Sequence, residues 1–185
     1  MAGERRVFVV WDPADPAGTN IGSYLYVRPF TNRSEVISLE RRIDCGNNFA
    51  ATITNLQESV AYRLFVTAYT KDNLLESEKS NKIMFCPLST QPGVPITINM
   101  DAFSGDTNSV FSLTNVYNAL PGTVVTNSKT IVYSPPASFR GKTTFNISWS
   151  EIHEFTNLCA YVSVVVASGQ WDFPTAPDQI TISKQ

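Results

Sequence analysis

The chain has 185 residues, of which 43% are hydrophobic, 11% aromatic and only 16% charged, with a net charge of -2. That balance excludes an intrinsically disordered protein, and a pI near 5.4 excludes the basic field a nucleic-acid-binding surface needs. No apolar run reaches the roughly 18 residues of a membrane-spanning helix, and the length suits two small domains or one large one.

Met1-Ala2-Gly3-Glu4-Arg5-Arg6 is charged and leads straight into a strand, so no signal peptide is expected here. Val7-Phe8-Val9-Val10-Trp11 predicts that strand, and the Pro/Gly-rich Asp12–Gly18 stops it. Ile21, Tyr24 and Tyr26 are read onto one face of a second strand ended by Pro29, and Glu35 to Leu39 as an edge strand. Ala51 to Ile53 leads to Leu56 and, six residues on, Tyr62, where Tyr62, Leu64, Val66 and Ala68 alternate with Arg63, Phe65 and Thr67. A leucine six residues before a strand-opening tyrosine suits a tyrosine corner, a crossing between sheets latched by the hydroxyl on upstream backbone. Asn81 to Phe85 closes the series, and short strands between turn residues indicate an antiparallel β-sandwich.

These residues carry a resemblance. Trp11 followed by Asp12-Pro13, Ile21 with Tyr24, Leu56 with Tyr62, the Tyr62–Ala68 strand, and Glu76-Ser77-Glu78-Lys79-Ser80 before the last strand resemble a fibronectin type III domain over about residues 5–86. The resemblance implies a first strand ahead of the tryptophan-bearing one. Only six residues precede Val7, so the domain at 1–86 is expected to lack that strand.

Three prolines and a glycine within Cys86–Pro95 read as a semi-stiff linker at 87–94. Strands are then expected at Ile96–Met100, Val110–Val116, Thr123–Val125, Thr130–Ser134, Gly141–Trp149 and Ala160–Ala167. Gly122-Thr123-Val124, Ile131-x-Tyr133-x-Pro135, Phe139-x-Gly141-x-x-x-Phe145-x-Ile147 and Val162-x-Val164-x-Val166 are similar to the cadherin-like immunoglobulin-fold repeats of bacterial and phage surface proteins. That resemblance covers 95–168 and implies an acidic calcium loop near the first strand. Only Asp101 and Asp106 stand there, short of the roughly six to eight oxygens calcium takes, so no metal is expected. The fold class expected is all-β: two tandem immunoglobulin-like antiparallel β-sandwiches followed by a tail, 169–185, with a donor-like strand at 178–183.

No catalytic constellation emerges. His153, the only histidine, lies between Glu151 and Glu154 in an expected loop and reads as a solvated turn. Cys45, Cys86 and Cys159 are odd in number and unclustered, and read as free thiols. Neither a phosphate loop nor a nucleophile elbow is present, so the chain is expected not to be an enzyme and to need no cofactor. Asn32-Arg33-Ser34 and Asn146-Ile147-Ser148 match the glycosylation sequon by coincidence, while Phe155 and Trp171, which could stack a sugar, read as core or interface.

The first core is expected to hold Val7, Val9, Trp11, Ile21, Tyr24, Tyr26, Leu64 and Val66. Phe8, Val10, Leu25, Val27, Phe65 and Tyr69 would then face outward, as a quaternary contact or beneath long side chains or the neighbouring domain. Pro174 to Ser183 resembles the opening of a fibronectin type III domain, prolines followed by a short strand. Gln179, Ile180, Thr181, Ile182 and Ser183 are therefore expected to complete the first domain of another copy, with Ile180 and Ile182 facing one way. Return onto the same chain would require a sharp bend, because Ser168 to Pro177 spans at most about 33 Å. The expected function is a non-catalytic structural protein of a repeating assembly, a virion component or surface filament with subunits joined head to tail. Its expected place is a virion, another extracellular particle or a cell surface, its partners copies of itself and other particle or surface proteins. The alternative is an adhesion or glycan-binding segment of a tandem-repeat surface protein.

Overall fold

The structure is a computed structural model that describes residues 5–13, 21–31, 34–72, 75–104, 110–117, 121–127, 129–151, 154–168 and 178–182. Among these there is no α-helix, and so no helix long and apolar enough to cross a membrane. The first seven strands are β1 (Arg5–Trp11), β2 (Ile21–Thr31), β3 (Ser34–Glu35), β4 (Arg41–Gly46), β5 (Ala50–Leu56), β6 (Ala61–Thr70) and β7 (Ile83–Thr90). They are followed by β8 (Ile96–Asn99), β9 (Val110–Tyr117), β10 (Thr123–Thr126), β11 (Thr130–Ser134), β12 (Gly141–Glu151), β13 (Glu154–Val166) and β14 (Asp178–Ile182).

One long sheet runs β3-β2-β6-β7-β13-β12-β9, with β4 also paired to β2, and two small sheets, β14-β1-β5 and β10-β11-β8, pack on it. The chain is thus all-β with sheet-on-sheet sandwich packing, as the spacing of short strands and turns predicts. Alternation along β7 shows that the small sheets cover opposite faces. Ile83 and Phe85 join the core beneath β14-β1-β5, whereas Met84, Cys86 and Leu88 join the core beneath β10-β11-β8. A strand buried on both faces must be apolar without a break, which is why both Ile83–Leu88 and the end of β13 read as continuous hydrophobic runs.

The stretch 87–94, read as a linker, opens as strand: β7 continues to Thr90, with Pro87 opposite Ser163 and Leu88 opposite Val164 of β13. Pro87 is tolerated because β6 pairs with β7 only across Ile83–Phe85, so on that edge its missing N–H breaks no ladder bond. The parallel pairing of β7 with β13 over eight residues each, Ile83–Thr90 against Cys159–Val166, sets the two halves side by side on one sheet. That placement removes the sharp bend the tail was expected to need.

Candidate functional site

β14, near the C-terminal end of the described residues, occupies one edge of β1. β14 lies parallel to β1, with Val7 opposite Asp178, Val9 opposite Ile180 and Trp11 opposite Ile182, while β5 holds the other edge of β1 in antiparallel pairing. Ile180 and Ile182 are buried with Val7, Val9, Trp11, Leu64 and Val66, whereas Gln179 and Thr181 are exposed; Ser183 lies outside the described residues. Within the single chain described, the strand lies on its own β1, and in parallel register, whereas two strands joined by a short turn run antiparallel. Phe8 and Val10 alternate out of the core and are half-buried.

At the β5–β6 crossing, Leu56 and Tyr62 are buried in the same core, and the Gln57 N–H donates to Tyr62 Oη at 2.8 Å. Asn55 and Ser59 take positive φ, 58° and 62°, which tightens the turn, and the Ser59 N–H donates to Pro87 O at 2.9 Å. The corner therefore ties β6 to the strand shared by both halves.

The outer face of β2 and β6 differs from expectation. Leu25 and Val27 lie fully in the core, opposite Val66 and Leu64, while Tyr24 and Tyr26 join Phe65 and Tyr69 in a separate cluster on the other face. Ile21, at the start of β2, is half-buried and belongs to neither cluster. Residues 24–27 are apolar on both sides, so their own alternation cannot say which pair turns inward.

That outer cluster is closed by its own neighbours. Tyr24 stacks on Tyr69 at 4.3 Å and Tyr26 on Phe65 at 4.8 Å, Arg42 sits 4.5 Å over Tyr24, and Arg28 and Lys79 each lie 4.9 Å from the Phe65 centroid. Glu76 accepts from Tyr26 Oη (2.7 Å), Thr67 Oγ1 (3.0 Å) and Arg42 (3.3 Å), and Tyr69 Oη donates to Asp44 at 2.8 Å. The bond to Asp44, with burial behind it, pushes the Tyr69 hydroxyl up to about 12. The Gly46 N–H first, and the Tyr69 hydroxyl second, hold the Asp44 carboxyl below its ordinary value. Burial, then the Glu76 bond, raises Tyr26. Long side chains cover Phe65 and Tyr69, which are buried rather than presented as an open apolar patch.

A concavity of about 340 Å³ lies between β14 and the face of β12 and β13 that points away from the core under β10-β11-β8. Asn146, Tyr161 and Phe85 form a row across three strands beside the Thr144–Ser163 pair, and Lys142, Gln179 and Ile180 complete the lining. Ser163 is buried, and Asn146 Oδ1 is buried without a hydrogen-bond partner.

His153 and Asp106 lie outside the described residues, as do the side chains of Glu151 and Glu154. Asp101 stands two residues after Asn99, whose Oδ1 accepts the Asp101 N–H at 3.0 Å, and Lys129 Nζ lies 3.4 Å from its Oδ2. No group of three or more His, Cys, Asp or Glu residues able to hold a metal occurs among the described residues. Cys45, Cys86 and Cys159 are free thiols; burial raises all three, Cys86 to about 12.

No protein-family model matches the chain, and no curated protein matches it significantly. Among solved structures it is similar to an endo-fucoidan hydrolase of glycoside hydrolase family 107 (TM-score 0.29, 12% identity, 90% of this chain and 27% of that one). It is also similar to immunoglobulin domains 1–4 of Sidekick-1 (TM-score 0.29, 13% identity, 88% of this chain and 43% of that one). The chain spans less than half the length of either, and at these scores neither carries an argument about function.

Proposed function

We propose that the chain is a non-catalytic structural module of a repeating assembly, a virion component or surface filament, whose subunits are joined by exchange of β14 between copies. The single observation that carries this reading is β14 itself: an edge strand, the last described one, whose Ile180 and Ile182 fill a core built by β1, β2, β5 and β6. Burying two isoleucines is worth roughly 3 to 6 kcal/mol, and the same contacts form whether the strand comes from its own chain or a neighbour's. Exchange therefore costs little beyond strand release and links subunits head to tail, in a ring or an open filament. The closed aromatic face of β2 and β6 leaves the strand slot as the joining element. Under this reading the first half is fibronectin type III-like and the second cadherin-like, with residues 178–183 as the donor strand and no catalytic residue.

The test compares the full chain with a chain lacking residues 174–185, each refolded at high concentration and followed by sedimentation velocity. The full chain should give dimers and larger species, and the truncated chain should be monomeric and less stable. A synthetic peptide of residues 174–185 should restore its stability. A full chain that remains monomeric throughout rejects the assembly and favours the alternative, an adhesion or glycan-binding segment.

A further inference from the structure

On the side of the long sheet that carries β14-β1-β5, the small sheet ends at β14 among the described residues, and no described strand covers the polar side chains of β12 and β13 beyond it. We propose that the groove between β14 and these two strands is a saccharide-binding site, sized for a hexose unit or two. This inference does not depend on strand exchange, because the groove is complete in a single copy.

Three observations carry it. The volume, about 340 Å³, stands at the small end of the roughly 300 to 1,000 Å³ of ligand sites. The lining combines two side-chain amides, Asn146 and Gln179, two hydroxyls, Thr144 and Ser163, and the Tyr161 ring, partly buried against the core under β14-β1-β5. Neutral donors and acceptors beside one aromatic face match a sugar, whose neighbouring hydroxyls both donate to and accept from an amide while its C–H face lies on a ring. Finally, Asn146 Oδ1 is buried with no donor, and buried acceptors in folded proteins are almost always paired. A sugar hydroxyl supplies the missing donor.

Other ligand classes fit less well. An apolar ligand would desolvate Thr144, Asn146 and Ser163 without replacing their hydrogen bonds, and for a polyanion the lining supplies a single cation, Lys142. A peptide strand added along the free edge of β14 would set its inward side chains on the same hydroxyls and amides. Because Gln179 and Ile180 form one wall, the site exists only while β14 is docked.

The test is an amide NMR titration of the full chain with lactose, maltose, cellobiose and mannobiose, each up to about 20 mM, since a shallow site binds in the millimolar range. At least one sugar should shift the amides of Thr144, Asn146, Tyr161, Ser163 and Gln179. Asn146→Ala should weaken that binding about tenfold or more while its Tm stays level or rises, because the substitution removes an orphaned acceptor. A structural role for Asn146 would instead lower Tm and leave affinity alone. The proposal is overturned if no sugar shifts these amides, if the shifts fall elsewhere, or if Asn146→Ala binds as the parent chain does.

Discussion

Val9, in the first strand, and Ile180, in the last, stand opposite each other in parallel register, and neither exposes more than 1% of its surface. The pair joins the two ends of the chain inside one core. Ile180→Ala should therefore destabilise by about 2 to 5 kcal/mol as a buried cavity, whereas Thr181→Ala, next along the strand and exposed, should stay within about 0.5 kcal/mol. Urea midpoints measure both; equal midpoints for the two variants would mean that β14 does not dock on β1.

Removing the hydroxyl of Tyr62 deprives the Gln57 N–H of its acceptor. Tyr62→Phe should cost about 1 kcal/mol or more, and Leu56→Ala, in the core beneath the same corner, about 2 to 5 kcal/mol. A Tyr62→Phe variant that melts with the parent chain would show that the corner hydrogen bond is not used.

Gly22 faces Tyr69 across the β2–β6 ladder, and a Cβ at Gly22 would clash with the hydroxyl end of the Tyr69 ring, 2.2 Å from its Cζ and 2.4 Å from its Oη. That ring cannot swing aside freely, since it stacks on Tyr24 and its hydroxyl is tied to Asp44. Gly22→Ala should therefore destabilise by about 1 to 3 kcal/mol, the usual range for overpacking. The double variant Gly22→Ala, Tyr69→Ala should recover part of the steric loss; strictly additive costs would argue against the contact.

The Asp44–Tyr69 pair should set stability at both ends of the pH scale. Asp44 has a folded-state value below its ordinary one, so its contribution is full above about pH 4 and is lost as pH falls through the depressed value. Tyr69 is raised from 10.0 to about 12, so its contribution is full below pH 10.0 and is lost as pH rises toward about 12. Tyr69→Phe should flatten the alkaline limb of unfolding midpoint against pH and weaken the acid limb. An unchanged alkaline limb would remove the pair from the account.

How much of this was legible in the residues depends on the range of the interaction that decides each feature. Ile180 and Ile182 alternate with Gln179 and Thr181, so the buried side of β14 could be read from a period of two, whereas Val7–Trp11 is apolar on both sides and only its strand character could be read. The turn leading to Tyr62 was local too, with its leucine, tyrosine and intervening polar residues all within seven positions. The β2 faces were not. Tyr24, Leu25, Tyr26 and Val27 are apolar on either side, and only the ladder that sets Leu25 against Val66 and Val27 against Leu64 turns the aliphatic pair inward.

The candidate groove was less legible still. Asn146 appeared in the sequence as a chance sequon, and its meeting with Tyr161, Phe85 and Gln179 needs four strands drawn from three distant stretches of chain. Local periodicity and turn chemistry thus determined that the protein is all-β, where most strands lie and which side of β14 is buried. Tertiary structure alone decided that Pro87 sits within a strand, that the halves share one sheet through β7 and β13, and that the tail runs parallel to its own β1. Parallel pairing joins strands far apart in sequence, and the hydrophobic contacts and ladder bonds that select one partner and one direction exist only once the sheet has formed.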